Sequence, residues 1–528
     1  MTTTLYPVWR ELLCDGETPV GVFARLRRAF AGERSCFLLE SVVGGERWAR
    51  WSIIGVGHRA HCRGRWVGRG PEARLVVEAE AGPGFPPSVA ELAGDKGGVG
   101  EGGGGRFIEA LLARYHTGLE QVDEGMPRFW GGVVGVWGHD MVRDLERVPP
   151  PIREAAPADD LPAFELLVTD TVVIFYTLSQ KVRVVATHCP AEDDGEARGE
   201  AAARARVDAV VAVLRAGAGL LAPLRIAEDV PVPPPRKAPA WAELDFPARV
   251  RAAKRYVESG DAFQVVLSQR FDEPLMDASG GRADPLDVYR MLRVTNPSPY
   301  MYLLDFPSAV LAGASPEVMV RVDRDDGKVT VRPIAGTRRR GETKAEDLAL
   351  ERELLEDPKE RAEHLMLIDL GRNDVGRVAA PGTVKLEDSH VIERYSKVMH
   401  IVSEVSGVLG AGHSVVDALR STFPAGTLSG APKVRALEII DELEPAPRGW
   451  YGGAVGYFAF DGGADFAICI RSVVFCADAM RVQAGAGIVY DSDPEAEDDE
   501  CARKASAVLR AIAMARHGSA GEGGPRGR

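Results

Sequence analysis

Glu497 and Glu500 stand three residues apart in YDSDPEAEDDECARKA, a stretch holding seven acids. That spacing puts both on one face of a helix, where they can reach a single hard cation. Mg²⁺ prefers oxygen ligands and commonly takes only one or two protein carboxylates, keeping its other positions for water and substrate. The same stretch also reads as a plain helix start. Ser492 or Asp493 would cap it, Pro494 fits the first turn, acids complement the dipole, and Glu500 with Lys504 makes an i,i+4 surface pair. A third acid, Glu363, sits beside His364 in ERELLEDPKERAEHLMLIDLGRND. This segment reads as one helix with Leu354, Leu355, Ala362, Met366 and Ile368 among its apolar positions. Glu363 is there a metal ligand or a solvated helix edge.

His400 lies in SKVMHIVSEVSGVL, an alternating segment that reads as a strand and puts it on a face with Val398 and Val402. It is a core histidine or a general base, since imidazole titrates near working pH. PAGTLSGAPKVRALEII opens a helix with a small-residue loop whose N–H groups suit an anion, and Thr427 and Ser429 add hydroxyls. It lacks the spacing of a nucleotide P-loop. In VQAGAGIV, Gly485 and Gly487 interrupt a strand where a ligand can approach the backbone. Arg471 suits a bidentate carboxylate contact. VRPIAGTRRRG sets Ala335, Gly336 and Thr337 before Arg338, Arg339 and Arg340. Only 11 of the 64 basic residues are lysine, so this arginine run is a weak phosphate signal. Together these features describe a donor-rich site for a small polyanion, with a divalent metal and one histidine.

The elements that must hold these groups come from a chain of 528 residues, 45% hydrophobic and 27% charged, as in a soluble protein of two to four domains. No stretch approaches the ~20 apolar residues of a membrane span. The first residues show no basic and apolar signal pattern, and no signal peptide is expected. Seven scattered cysteines without C-x-x-C point to a reducing cytoplasm. A formal charge of −13 argues against nucleic acid as a partner. GDKGGVGEGGGG (94–105) reads as a flexible insert, and VPVPPPRKAP (230–239) as a stiff linker between an N-terminal part, 1–229, and a C-terminal part, 240–516. Residues 517–528 are expected to be a disordered tail. A hairpin turns at Ser179-Gln180, a helix stops at Gly260 before a strand from Phe263, and Ala502, Ala505, Val508, Leu509 and Ile512 mark a closing amphipathic helix. The fold class is α+β, with large, mainly antiparallel sheets. FWGGVVGVWGHD (129–140) echoes WYGGAVGYFAFD (450–461), as two glycine-kinked strands using one local solution.

GDAFQVVLSQ, GASPE, PIAGTRRRG, DPKERAEHLMLIDLGRND, SKVMHIVS, PAGTLSGAPK, YGGAVGYF, IRS and AGAGIVYDSDPEAEDDE follow one another through nearly all of residues 240–505. As a set they closely resemble the chorismate-utilising enzymes, and the whole chain is similar to the large subunits of anthranilate synthases in that family. The resemblance implies a chorismate-binding α+β fold and a lyase reaction: chorismate plus ammonia gives aminodeoxyisochorismate, then anthranilate and pyruvate. It implies Mg²⁺ held by Glu363, Glu497 and Glu500, Glu317 as general acid, and His400 as the base for pyruvate loss. Thr427, Tyr451, Arg471, Gly485 and Gly487 match substrate-positioning residues, and Gly336 and Thr337 match the pocket floor. Relatives that add water carry a lysine at Gln264, and the para-aminobenzoate branch has a lysine at Ala335, so both positions favour the anthranilate reaction over its siblings. No cysteine sits in a glutaminase nucleophile turn, and the resemblance implies a separate glutamine amidotransferase subunit, in a heterotetramer. It also implies a tryptophan inhibitor site lined by Glu40, Ser41, Ser52, Pro299, Tyr300 and Met301, with Trp51 where tyrosine is more usual. The alternatives are an aminodeoxychorismate synthase and a catalytically silent tryptophan sensor.

Overall fold

The computed structural model describes residues 3–30, 35–42, 51–68, 73–86, 89, 92, 103–117, 126–146, 148, 161–193, 195–217, 221–226, 229–232, 234–276, 282–395 and 398–519. Among these, twenty strands share one hydrogen-bonded network, and its pairings are antiparallel. The single parallel pair, Thr3–Thr4 with Tyr115–His116, lies outside it. The α+β reading with mainly antiparallel sheet holds.

The echo between the two glycine-rich stretches has a structural cause. The strand Gly132–Trp137 pairs antiparallel with Ala454–Ala459, and Gly135 lies opposite Gly456. A Cβ on Gly132 would stand 2.0 Å from the Phe458 carbonyl oxygen, and one on Gly453 1.9 Å from that of Trp137. Each stretch therefore uses glycine to let the other's backbone close in. The strands Phe164–Tyr176 and Ala464–Ile468 flank the pair on opposite sides, giving a local two-fold arrangement. Trp130, Trp137 and Trp450 are fully buried beside it.

Sheet pairing crosses the expected boundary at 230–239 a second time. The strand Cys36–Glu40 lies between Trp51–Val67 and Tyr300–Asp305. The proline-rich segment itself runs along the strand Gln264–Pro274: Ala238 N–H donates to Arg270 O at 2.8 Å, and Lys237 pairs with Asp498 at 3.1 Å.

The hairpin forms as read, from Phe164–Tyr176 and Lys181–His188. The helix Phe246–Glu258 ends two residues before Gly260, and its following strand starts at Gln264. The closing helix, Pro494–Ser519, buries Ala505, Val508, Leu509 and Ile512, and runs three residues into the expected tail. Residues 520–528 lie outside the described residues, as does most of the glycine-rich insert; its last three residues open the helix Gly103–Arg114. One reading needs correction. The segment taken as a single helix is two, Lys344–Glu356 and Pro358–Gly376. Pro358 drives the preceding residue out of helical geometry, and Asp357 caps the second helix by accepting N–H bonds from Lys359 at 2.9 Å and Glu360 at 3.3 Å.

Candidate active site

The strand Val398–Val408 carries His400, and Ile334–Arg339 runs beside it with a register shift between Ala335 and Arg338. Ala335 pairs with Ile401 and Arg338 with Met399, which leaves Gly336 and Thr337 together opposite His400. This is a β-bulge. Gly336 makes it possible with a φ of 64°. The bulge aims two acceptors at one ring nitrogen: His400 Nδ1 lies 2.9 Å from Gly336 O and 3.1 Å from Thr337 Oγ1. A carbonyl can only accept, so Nδ1 carries the proton and Nε2 is left with a lone pair. Burial pushes the imidazole below its ordinary range, and the nearby Arg471 charge adds to this. His400 is thus an imidazole whose orientation is fixed and whose protonation burial disfavours.

The three arginines after the bulge bind no phosphate in this geometry; they are paired. Arg338 contacts Glu353 at 2.8 Å, Asp357 at 2.9 Å and Glu360 at 3.1 Å. Arg339 pairs with Glu346. Arg340 grips Asp347 with two bonds of 2.7 and 3.1 Å. They fasten the bulged strand to the two helices that follow it.

Glu317 sits between the strands Val310–Ser315 and Val318–Val322. Its backbone carbonyl accepts from Ile468 N–H at 3.0 Å, and its Oε1 accepts from Thr427 Oγ1 at 2.8 Å. Burial raises its carboxyl to about 7, against the lowering effect of the Thr427 bond and the Lys504 charge. It can therefore hold a proton near neutral pH and give it up.

Arg471 occupies the turn between Ala464–Ile468 and Ser472–Phe475, with a φ of 53° that is rare for a non-glycine residue. Burial lowers its pKa, while Tyr451 and Glu500 stand near enough to oppose that effect. Among the described residues its guanidinium has no ion-pair or hydrogen-bond partner. A largely desolvated, unpaired guanidinium is a ready carboxylate receptor. Burial raises the Tyr451 hydroxyl, and the Arg448 and Arg471 charges oppose that rise. A Cβ on Gly485 would stand 2.9 Å from the Tyr451 hydroxyl, and one on Gly487 2.6 Å from Gln264 Nε2. The glycines thus leave room for those two side chains. Gln264 is buried.

The acids converge from two helices. Asp493 caps the closing helix, accepting from Ala496 N–H at 2.9 Å. One turn on, burial and the Glu500 charge both raise Glu497. Burial also raises Glu363, helped by Glu360 and by Glu500 on the other helix. Glu500 thus raises an acid on each helix, and carboxylate oxygens are the donors that a hard divalent ion takes. Among the described residues no three His, Cys, Asp or Glu side chains stand close enough together to hold a metal ion. An ion here would take few protein ligands and keep several positions for water and substrate.

Lys504 was read only as the surface partner of Glu500. The pair exists, at 2.6 Å, but the same ammonium donates to Gly485 O at 2.9 Å. Its charge also reaches Glu317, Glu363 and Glu497. The i,i+4 spacing was the only sequence signal for it, and that spacing hides its inward position.

A second site lies away from these residues. A cavity of about 300 Å³, open to solvent, is lined by Glu40, Ser41, Pro299, Tyr300 and Met301, five of the six residues expected there. Ser52 is not on its wall, but its hydroxyl reaches Glu40 at 3.4 Å. Glu40 is also held by Tyr289 at 2.6 Å and Arg293 at 3.0 Å, neither foreseen. Trp51, Arg321, Tyr457 and Asp465 complete much of the wall.

Residues 94–510 match the chorismate binding enzyme family. The chain belongs to that family. The anthranilate synthase component 1 of Pseudomonas aeruginosa is 43% identical over 509 residues, covering 96% of each chain. That of Mycobacterium tuberculosis is 44% identical over 522 residues, covering 96% of this chain and 93% of the relative. The crystal structure of anthranilate synthase component I from Streptococcus pneumoniae superposes with a TM-score of 0.67 at 33% identity, over 89% of this chain and 94% of that one. The menaquinone-specific isochorismate synthase of Escherichia coli shares the fold, with a TM-score of 0.64 at 17% identity, over 97% of this chain and 95% of that one. These two solved structures thus reproduce nearly the whole of this fold.

Proposed function

We propose that this chain is the chorismate-converting component of an anthranilate synthase, a lyase that turns chorismate and ammonia into anthranilate, pyruvate and water. The observation that carries the reading is the conjunction of Glu317, Thr427, His400 and the unpaired Arg471 in a chain 43% identical over 96% of its length to such a component. Arg471 takes a carboxylate of the substrate. Glu317 gives its proton to the departing ring hydroxyl as ammonia adds. His400 Nε2 then takes the proton from the aminated carbon as the enolpyruvyl group leaves as pyruvate. Tyr451, Gly485 and Gly487 shape the pocket around the ring. Glu363, Glu497 and Glu500 would hold Mg²⁺, which when bound neutralises the ring carboxylate and polarises the ring.

Two positions favour ammonia and anthranilate. Gln264 has no basic group with which to activate water. Ala335 is a buried strand residue opposite Ile401 and offers no nucleophile for a covalent route to the para isomer. Ammonia would come from a glutamine amidotransferase partner, and the cavity at Glu40 would take tryptophan as inhibitor. A cytoplasmic location agrees with seven cysteines that form no disulfide, and among the described residues no helix is long and apolar enough to cross a membrane.

The test is incubation of the purified chain with chorismate, Mg²⁺ and an ammonium salt. Anthranilate fluorescence is the expected result, suppressed by tryptophan. A folded protein that forms none, or that forms the para-aminated product instead, overturns the reading.

A further inference from the structure

Tyr302 stands between the two sites. It lines the cavity at Glu40, and its hydroxyl lies 2.6 Å from Ser472 Oγ and 3.4 Å from Ile470 O. Ser472 Oγ in turn donates to Ile470 O at 2.8 Å. Either hydroxyl can be the donor in the tyrosine–serine bond, and the contacts gather on Ser472 and Ile470. These two residues flank Arg471, whose left-handed backbone needs outside support. The rest of the support comes from Ala314 N–H, which donates to Arg471 O at 3.1 Å, and from the pairing of Gly313 with Ser472. Gly313 also faces Tyr302, and a Cβ there would stand 2.3 Å from Tyr302 Cε2. Leu39, Tyr302, Gly313 and Ser472 thus form one row across four strands, from the cavity wall to the turn that holds Arg471.

We infer that Tyr302 is a positioning residue for Arg471, and that through it the occupancy of the cavity is felt at the substrate carboxylate. The inference rests on the proposed roles of Arg471 and of the cavity. A ligand against the ring displaces the hydroxyl from Ser472, and the strained turn relaxes. Tyr302 does not touch the substrate. It sets the angle at which Arg471 meets it.

Tyr302→Phe keeps the ring and leaves Ser472 bonded to Ile470 O, so no buried donor is orphaned. Measured with ammonium salt on the full chain, KM for chorismate should rise about fivefold with kcat within twofold, the scale of one lost hydrogen bond. Ser472→Ala should do the same, and the double variant should be no worse than either single one. By linkage, chorismate should weaken tryptophan binding in the parent protein. Calorimetry should show that ratio of tryptophan Kd values falling toward one in Tyr302→Phe. Unchanged KM, or additive effects of the two substitutions, overturns the positioning role. Tryptophan that binds with an unchanged ratio overturns the transmission alone. A parent protein that binds no tryptophan removes the regulatory reading of the cavity, while the KM and additivity measurements still decide the positioning role.

Discussion

Thr427 Oγ1 donates to Glu317 Oε1 at 2.8 Å, from a short 3-10 turn distant in sequence. The bond favours the charged carboxylate, yet burial outweighs it and holds the group at about 7. Activity should therefore fall as pH rises through about 7, where Glu317 loses its proton. It should also fall on the acid side, below the ordinary histidine range, where His400 gains one. Thr427→Val removes the lowering influence and should move the alkaline limb upward. A pH–rate profile checks both; an unmoved limb in the variant breaks the assignment.

Glu317→Gln should lower kcat by about 10²–10⁴. Stability should respond in the opposite sense. A carboxyl raised on folding contributes fully below its unfolded value of 4.5, and that contribution is lost as pH rises through about 7. The glutamine variant should thus melt at or above the parent's temperature at pH 8. A lower melting temperature there would contradict the burial argument.

His400→Gln should separate the two proposed steps. Amination does not use the imidazole, so aminodeoxyisochorismate should accumulate while anthranilate formation drops by about 10²–10⁴. Chromatography of the quenched mixture resolves the two. Gly336→Ala should weaken the same base indirectly, since its φ of 64° and a Cβ 2.9 Å from Leu354 oppose the bulge. A cost of about 1–3 kcal/mol in stability is expected by denaturant unfolding.

Glu497→Gln should raise the Mg²⁺ concentration needed for half-maximal rate by about tenfold or more, and Mg²⁺ affinity measured by calorimetry should fall with it. The same titration in both assays for parent and variant would remove Glu497 from the ligand set.

His364 and Ser403 fix the helix Pro358–Gly376 to the strand Val398–Val408. Both are fully buried, and Nε2 lies 2.7 Å from the hydroxyl, which also accepts His390 N–H at 2.9 Å. Ser403→Ala should cost about 1–3 kcal/mol, because the buried His364 ring and the partly buried His390 N–H lose their partner. Burial holds His364 at about 4. Its contribution is present above the ordinary value of 6.5 and is lost as pH falls toward 4, so His364→Gln should flatten that part of the stability curve. A denaturant series from pH 7 to 4 reads the slope.

Much of the site was legible because its chemistry sits in short local runs. Glu497 and Glu500 share a helix face by spacing alone, and the bulge is foreshadowed by Gly336. Asp357 was misread because helical periodicity continues through Pro358, while the cap that breaks it depends on one side chain. Lys504 was hidden for another reason: an i,i+4 pair looks the same whether it faces water or a pocket. Tyr289, Arg293 and Tyr302 reach their partners across strand register, which no local pattern encodes. The expected division at the proline-rich segment had a real compositional basis, but composition does not report that Gly135 pairs with Gly456.

That pairing also bears on how the chain is made. The strand Gly132–Trp137 leaves the ribosome long before Ala454–Ala459 exists. At roughly 5–20 residues per second, the wait is from about a quarter of a minute to a minute. Throughout it the nascent chain holds an apolar strand one of whose neighbours has not been synthesised, with Trp130 still without Phe460 and Trp137 without Phe423 and Phe458. Translation speed and chaperone capture should therefore govern the yield of this protein in a cell more than its final stability does.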